Sequence, residues 1–218
     1  MRVVIAGGHG QIALRLERLL TTDGHEAVGI VRNPDHVGDV EATGARALLL
    51  DLEQANVDDL TPALAGADAV VFAAGAGPGS GAARKDTVDR AASVLLADAA
   101  EKAGVPRFVQ VSSMGASTEL PASTDPVFAA YLEAKQAAEE DLRRRGLDWT
   151  ILRPGSLTND PGTGGVTLTP PPVGRDDVPR DDVAAVIVAL LNEQAGVHQT
   201  LELRSGDTPI AEAVDQLV

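Results

Sequence analysis

A chain of 218 residues has room for one substantial core, and no shift in composition along it argues for two independent units. Asp and Glu number 32 against 18 Lys and Arg, a formal net charge of −14, so a nucleic-acid backbone is repelled over most of the surface, and aromatics at 2% leave no stacking platform for single strands. The absence of Cys removes disulfides and thiolate metal ligands, and no apolar run nears the roughly 18 residues of a membrane helix.

Met1-Arg2-Val3-Val4-Ile5-Ala6 enters a strand at once and shows no secretory pattern, so a cytoplasmic protein with no membrane partner is expected. Six short apolar runs read as buried strands: Val3–Ala6, Ala27–Val31, Ala45–Leu50, Ala69–Ala73, Phe108–Val111 and Thr150–Leu152. Helical spacing lies between them at Ile12–Leu20, Val88–Ala103 and Val127–Arg145, with shorter helical stretches in Asp35–Thr43 and Pro62–Leu64. This alternation predicts an α/β fold with a parallel, doubly wound sheet and right-handed crossovers. Beyond Leu152 the texture changes. Residues 154–178 are dense in Gly, Pro and Thr and form either a cover over a ligand crevice or a plain connection. A helix from about Arg180 to Leu191, a strand near Gln199–Leu203 and a helix from about Pro209 complete the chain. The whole reads as one domain over residues 1–218, with 154–218 as a small substrate-side region.

The first strand runs into Gly7-Gly8-His9-Gly10-Gln11-Ile12-Ala13, and a helix follows. This G-x-x-G-x-x-A spacing, at the first turn of a β-α-β unit, predicts a Rossmann-type dinucleotide site. Gly7 allows the tight turn, Gly10 lets the backbone approach a pyrophosphate, and Ala13 lets the helix pack on the strand. The amides and dipole of the helix start then hold the dianion even on an acidic protein. His9 either points to solvent or lines the phosphate site. Arg32 follows the second strand where an NAD-specific site places a carboxylate; it suits a 2′-phosphate, so NADP is favoured over NAD, unless it is a plain surface arginine. Asp51-Leu52 meets the adenine edge, or Asp51 caps the next turn. The glycine-rich loop from Ala74 and Gly75 to Gly81 either borders the nicotinamide or makes no contact with it.

Tyr131 and Lys135 form a Tyr-x-x-x-Lys pair on one face of a predicted helix, and Ser112-Ser113 ends the fifth strand, where ligands of such sheets bind. An ammonium near a phenol stabilises the phenolate, and a serine hydroxyl can hold a substrate oxygen while hydride moves. Trp149 is expected in the core and Arg143-Arg144-Arg145 at a solvated helix end. The histidines at 25, 36 and 198 show no metal-ligand spacing, so no metal is expected.

These residues resemble the short-chain dehydrogenase/reductase superfamily, close to its atypical NAD(P)-binding and epimerase/dehydratase-like members. The resemblance spans nearly the whole chain through Gly7-x-x-Gly10-x-x-Ala13, Asp51-Leu52, residues 103–113, Tyr131-x-x-x-Lys135 and Leu152-Arg153-Pro154-Gly155. It implies Ser113, Tyr131 and Lys135 as the catalytic group, Lys135 on the nicotinamide ribose, and Pro154 and Gly155 beside the nicotinamide. Where the superfamily's catalytic asparagine would fall the chain has Asp89, and residues beyond 152 are too few for a nucleotide-sugar domain. The expectation is an NADP(H)-dependent oxidoreductase acting on a small carbonyl or alcohol. The alternatives are a non-enzymatic, NADP(H)-responsive regulator similar to NmrA-like sensors, or a cofactor-dependent epimerase/dehydratase.

Overall fold

The computed structural model describes residues 1–77, 79–116, 120–121 and 123–217; Pro78 of the glycine-rich loop lies outside them. Six strands, β1 (Arg2–Ala6), β2 (Glu26–Val31), β3 (Arg46–Leu49), β4 (Ala69–Phe72), β5 (Arg107–Val111) and β6 (Asp148–Pro154), lie parallel in the order β3-β2-β1-β4-β5-β6. The order reverses between β1 and β4, and a crevice opens there at the carboxyl ends of the strands. Successive side chains of each strand enter opposite cores. Val3 and Ile5 join Leu16, Leu20, Ile187 and Leu190 on one face, whereas Val4 and Ala6 join Leu96, Ala100 and Leu142 on the other. Burial on both sides explains why these strands are continuous apolar runs rather than alternating ones. Phe72 and Phe108 are fully buried and contribute about 1.5–3 kcal/mol each.

The crossovers are α1 (Gln11–Thr22), α2 (Val37–Glu41), α3 (Val57–Leu60), the segment α4 (Ala82–Arg84) to α5 (Ala92–Ala103), and α6 (Pro126–Arg143). A π-helical stretch, Lys85–Ala91, joins α4 to α5, so this helix starts six residues before the expected Val88. Asp125 caps α6 through the amides of Val127 and Phe128, with Pro126 at the first helical position.

The stretch after β6 holds strands that the sequence did not reveal. β7 (Ser156–Thr158) pairs with β9 (Asp177–Pro179) beyond the end of β6. β8 (Gly165–Thr169) joins the main sheet antiparallel to β10 (Gln199–Ser205), which runs parallel to β6; β11 (Thr208–Pro209) closes that edge. Val166 and Leu168 of β8 are buried and Thr167 and Thr169 are not, a period-two signal too short to stand out among Gly and Pro. Helices α7 (Arg180–Asn192) and α8 (Ile210–Asp215) follow expectation. The arginine run follows it in part: Arg143 and Arg144 are exposed at the end of α6, while Arg145 is half-buried, pairs with Asp141, Asp98 and Glu101, and ties α6 to α5. Trp149 is buried, as expected. Among the described residues no helix is long and apolar enough to cross a membrane.

Candidate functional site

The turn from β1 to α1 is built from close approaches that exclude side chains. Gly7 has φ +83°, and a Cβ there would stand 2.6 Å from the Ala74 backbone; at Gly8 it would stand 2.6 Å from Gly29 of β2. The Gly10 amide donates to the Gly7 carbonyl at 2.8 Å and closes the turn. Gly10 caps α1 with no side-chain hydrogen bond, and the first turn of α1 carries no acidic residue. The helix therefore presents unpaired amides and its positive end to the crevice. Glu17 of α1 packs beneath Gly8 and Gly29, fully buried, and burial pushes its carboxyl up to about 8 against the opposing hydrogen bond from Thr43. At neutral pH it is an uncharged carboxylic acid and leaves the anion site its positive potential.

A cleft of about 240 Å³ follows, lined by Gly7, His9, Gly10, Arg32, Asp51, Leu52, Ala74 and Gly75 among the expected residues. The crevice thus has the uncapped helix end and the side-chain-free backbone that a dinucleotide pyrophosphate requires. His9 lines it while bonding Asp39 at 2.8 Å and stacking on His36 at 3.6 Å. The remaining expected cofactor residues do not line it. Gly8 serves the packing of α1 on β2, the Ile12 side chain lies in the core, and Gln11 is exposed at the start of α1. Gly155 passes too close to the Asp176 carbonyl to carry a side chain, and Pro154 is buried at the end of β6.

At the Arg32 end of the cleft the structure adds residues that motif reading missed. Glu53 accepts from Arg32 at 2.8 Å, Arg84 at 2.7 Å and Thr87 at 2.7 Å. The Arg84 hydrogen bond, then those of Thr87 and the charges of both arginines, hold the Glu53 carboxyl below the usual carboxylate range against a modest burial effect. Asp51 caps its turn by accepting from the Glu53 amide at 3.0 Å. Arg84 went unseen because Ala82–Arg84 borders a glycine-rich stretch that reads as loop; Ala82 and Ala83 after Gly81 were the available helix signal.

The second half of the site begins at Gly75-Ala76. The Ala76 amide donates to Asp89 at 3.1 Å, and Asp89 pairs with Lys135 at 3.2 Å, both side chains buried. Lys135 also donates to the Val111 carbonyl at 3.1 Å. Its Nζ stands 5.8 Å from the Tyr131 ring, and the Nζ of Lys85 stands 5.4 Å from the same ring. Tyr131, Lys135 and Asp89 are therefore one cluster, with Lys85 as a member that no motif announced. The two serines part company. Ser112 donates at 2.5 Å to Glu139, a fully buried carboxylate shared with Arg153 and Arg143. Ser113 is half-buried and, among the described residues, its hydroxyl donates within its own turn, to the Met114 carbonyl at 3.2 Å.

A family profile described as NAD(P)H-binding matches residues 7–194. The chain is 36% identical over 218 residues to the "uncharacterized sugar epimerase YhfK" of Bacillus subtilis, with both chains fully covered. Among solved structures it is similar to a protein from Bacillus halodurans named as an NAD-dependent epimerase/dehydratase, at 39% identity, TM-score 0.91 and full coverage of both chains. It is also similar to the oxidoreductase ylbE of Lactococcus lactis, at 26% identity and TM-score 0.86, covering 100% of this chain and 96% of the other.

Proposed function

Because the chain belongs to the NAD(P)H-binding family, we propose that it is an NADP(H)-dependent oxidoreductase of the short-chain dehydrogenase/reductase type, acting on a small carbonyl or alcohol. A bound nicotinamide dinucleotide supplies or accepts the hydride. Arg32 and Arg84, both tied to Glu53, would turn their remaining N–H groups to the adenosine 2′-phosphate, while the amides of Gln11 and Ile12 would meet the pyrophosphate. In the reducing direction Tyr131 would give its hydroxyl proton to the substrate's carbonyl oxygen, and in the oxidising direction its phenolate would take the alcohol proton back. Lys135, held by Asp89 and Val111, keeps one of its three N–H groups for the nicotinamide ribose. The Ser113 hydroxyl orients the substrate oxygen.

The observation that carries this reading is the junction at Gly75-Ala76. Residues lining the cleft continue directly into the amide that holds Asp89, and through Asp89 into the lysine beside Tyr131. Tyr131→Phe is expected to keep the wild-type Kd for NADPH in calorimetry and to lose roughly 10²- to 10⁴-fold in turnover of a small carbonyl. Full activity in that variant removes the assignment. The names of the Bacillus subtilis and Bacillus halodurans relatives favour a second reading, an epimerase that oxidises its substrate transiently. NADPH absorbance separates the two, because a reductase consumes NADPH in step with product and an epimerase leaves it unchanged.

A further inference from the structure

Among the described residues, most buried and half-buried cations of this acidic chain are held by several partners. Lys135 faces Asp89; Arg145 faces three carboxylates; Arg107 has no carboxylate but donates to the Asp148, Leu190 and Ala195 carbonyls and the Thr150 hydroxyl. Lys85 is 8% exposed and donates one hydrogen bond, to the Gly77 carbonyl at 2.9 Å. Its ammonium also lies over the Tyr131 ring, and among the described residues no carboxylate pairs with it. Beyond the Gly77 carbonyl, two N–H groups of this ammonium have no protein acceptor among the described residues and are available to a ligand.

The backbone explains why the nearest acid does not serve. Asp89 lies four residues after Lys85, a spacing that pairs side chains on an ordinary α-helix. Lys85–Ala91 is π-helical, and its wider turn sends Asp89 to Lys135 and the Ala76 amide while Lys85 reaches the Tyr131 ring. Phe128 stacks on Tyr131 at 6.0 Å and is 38% exposed, so an apolar ring borders the same place.

We propose that Lys85 receives a carboxylate of the substrate, which makes the substrate a short oxo acid, or the matching hydroxy acid, with an apolar body. This rests on the assignment of Tyr131 as acid/base. The carboxylate pairs with Lys85, the carbonyl oxygen meets the Tyr131 hydroxyl, and the apolar part lies against Phe128.

The test uses the full chain loaded with NADP, with benzoylformate as probe and its methyl ester as the uncharged control. Lys85→Gln is the informative variant, because the glutamine amide can still donate to Gly77 and only the charge is lost. Benzoylformate is expected to bind the wild type saturably in calorimetry. Lys85→Gln should weaken that binding roughly 10- to 100-fold, the worth of a charge-assisted pair. Lys85→Arg should recover most of it, and neither variant should change NADPH affinity or ester binding. Absence of saturable benzoylformate binding, or equal binding by Lys85→Gln, overturns the proposal. A fall in NADPH affinity in place of benzoylformate affinity also overturns it, by assigning Lys85 to the cofactor. If NADPH binds and the ester is reduced through Tyr131 while Lys85→Gln has no effect, only this inference falls. If Tyr131→Phe retains full activity, the underlying reading falls with it.

Discussion

The two sides of the crevice are made of different materials. The β1-α1-β2 side works by removal: glycines at 7, 8 and 10 bring backbone to backbone, the helix end has no cap, and the one carboxyl beneath it is driven neutral by burial. The side built from β4, β5 and α6 works by addition, with the Asp89–Lys135 pair and the Glu139–Arg153–Arg143 network. One side must hold a constant ligand, a pyrophosphate, which backbone amides recognise without side-chain chemistry. The other must place ionisable groups around a reacting atom, and buried charges stay put only when paired.

The largest effect should come from breaking a pair on the charged side. Asp89→Ala leaves Lys135 buried without a counter-ion and removes the Ala76 contact, so a loss of about 3–5 kcal/mol in denaturant unfolding is expected. A loss below 1 kcal/mol would mean that solvent reaches the pair.

The next effect tests the neutral side. The Glu17 carboxyl sits near 4.5 when exposed and at about 8 in the folded protein. The folded state therefore keeps a proton that the unfolded state gives up, and the stability from this source, full below pH 4.5, is lost as pH rises toward 8. Glu17→Gln removes that slope. Its stability relative to wild type should rise between pH 5 and pH 8 by on the order of a few kcal/mol. Parallel pH profiles for the two proteins would contradict a neutral Glu17.

The smallest effect lies where the two materials meet, at the adenosine end. Arg32 and Arg84 are exposed, so solvent screens each of them and their effect on a 2′-phosphate should be modest. Arg32→Ala and Arg84→Ala should each weaken NADPH roughly five- to thirtyfold and leave NADH unchanged. Equal losses for both cofactors would assign the arginines to local structure.

Sequence reading reached far on the first side. Gly7-x-x-Gly10-x-x-Ala13 after a strand carries its geometry in local spacing, and a β-α-β alternation with continuous apolar strands implies a parallel sheet before any contact is known. The Tyr131–Lys135 spacing was legible for the same reason, since four residues on one helix share a face. Other features depended on partners distant in the chain. Glu53 joins Arg32 across 21 residues and Arg84 across 31, Lys135 meets Asp89 across 46, and β8 becomes a strand because β10 accepts it. Ser112 and Ser113 are equivalent in sequence and separate only when Glu139 takes one of them. Local order is written in residue spacing, whereas the partner of a charge is decided when distant segments are packed beside one another.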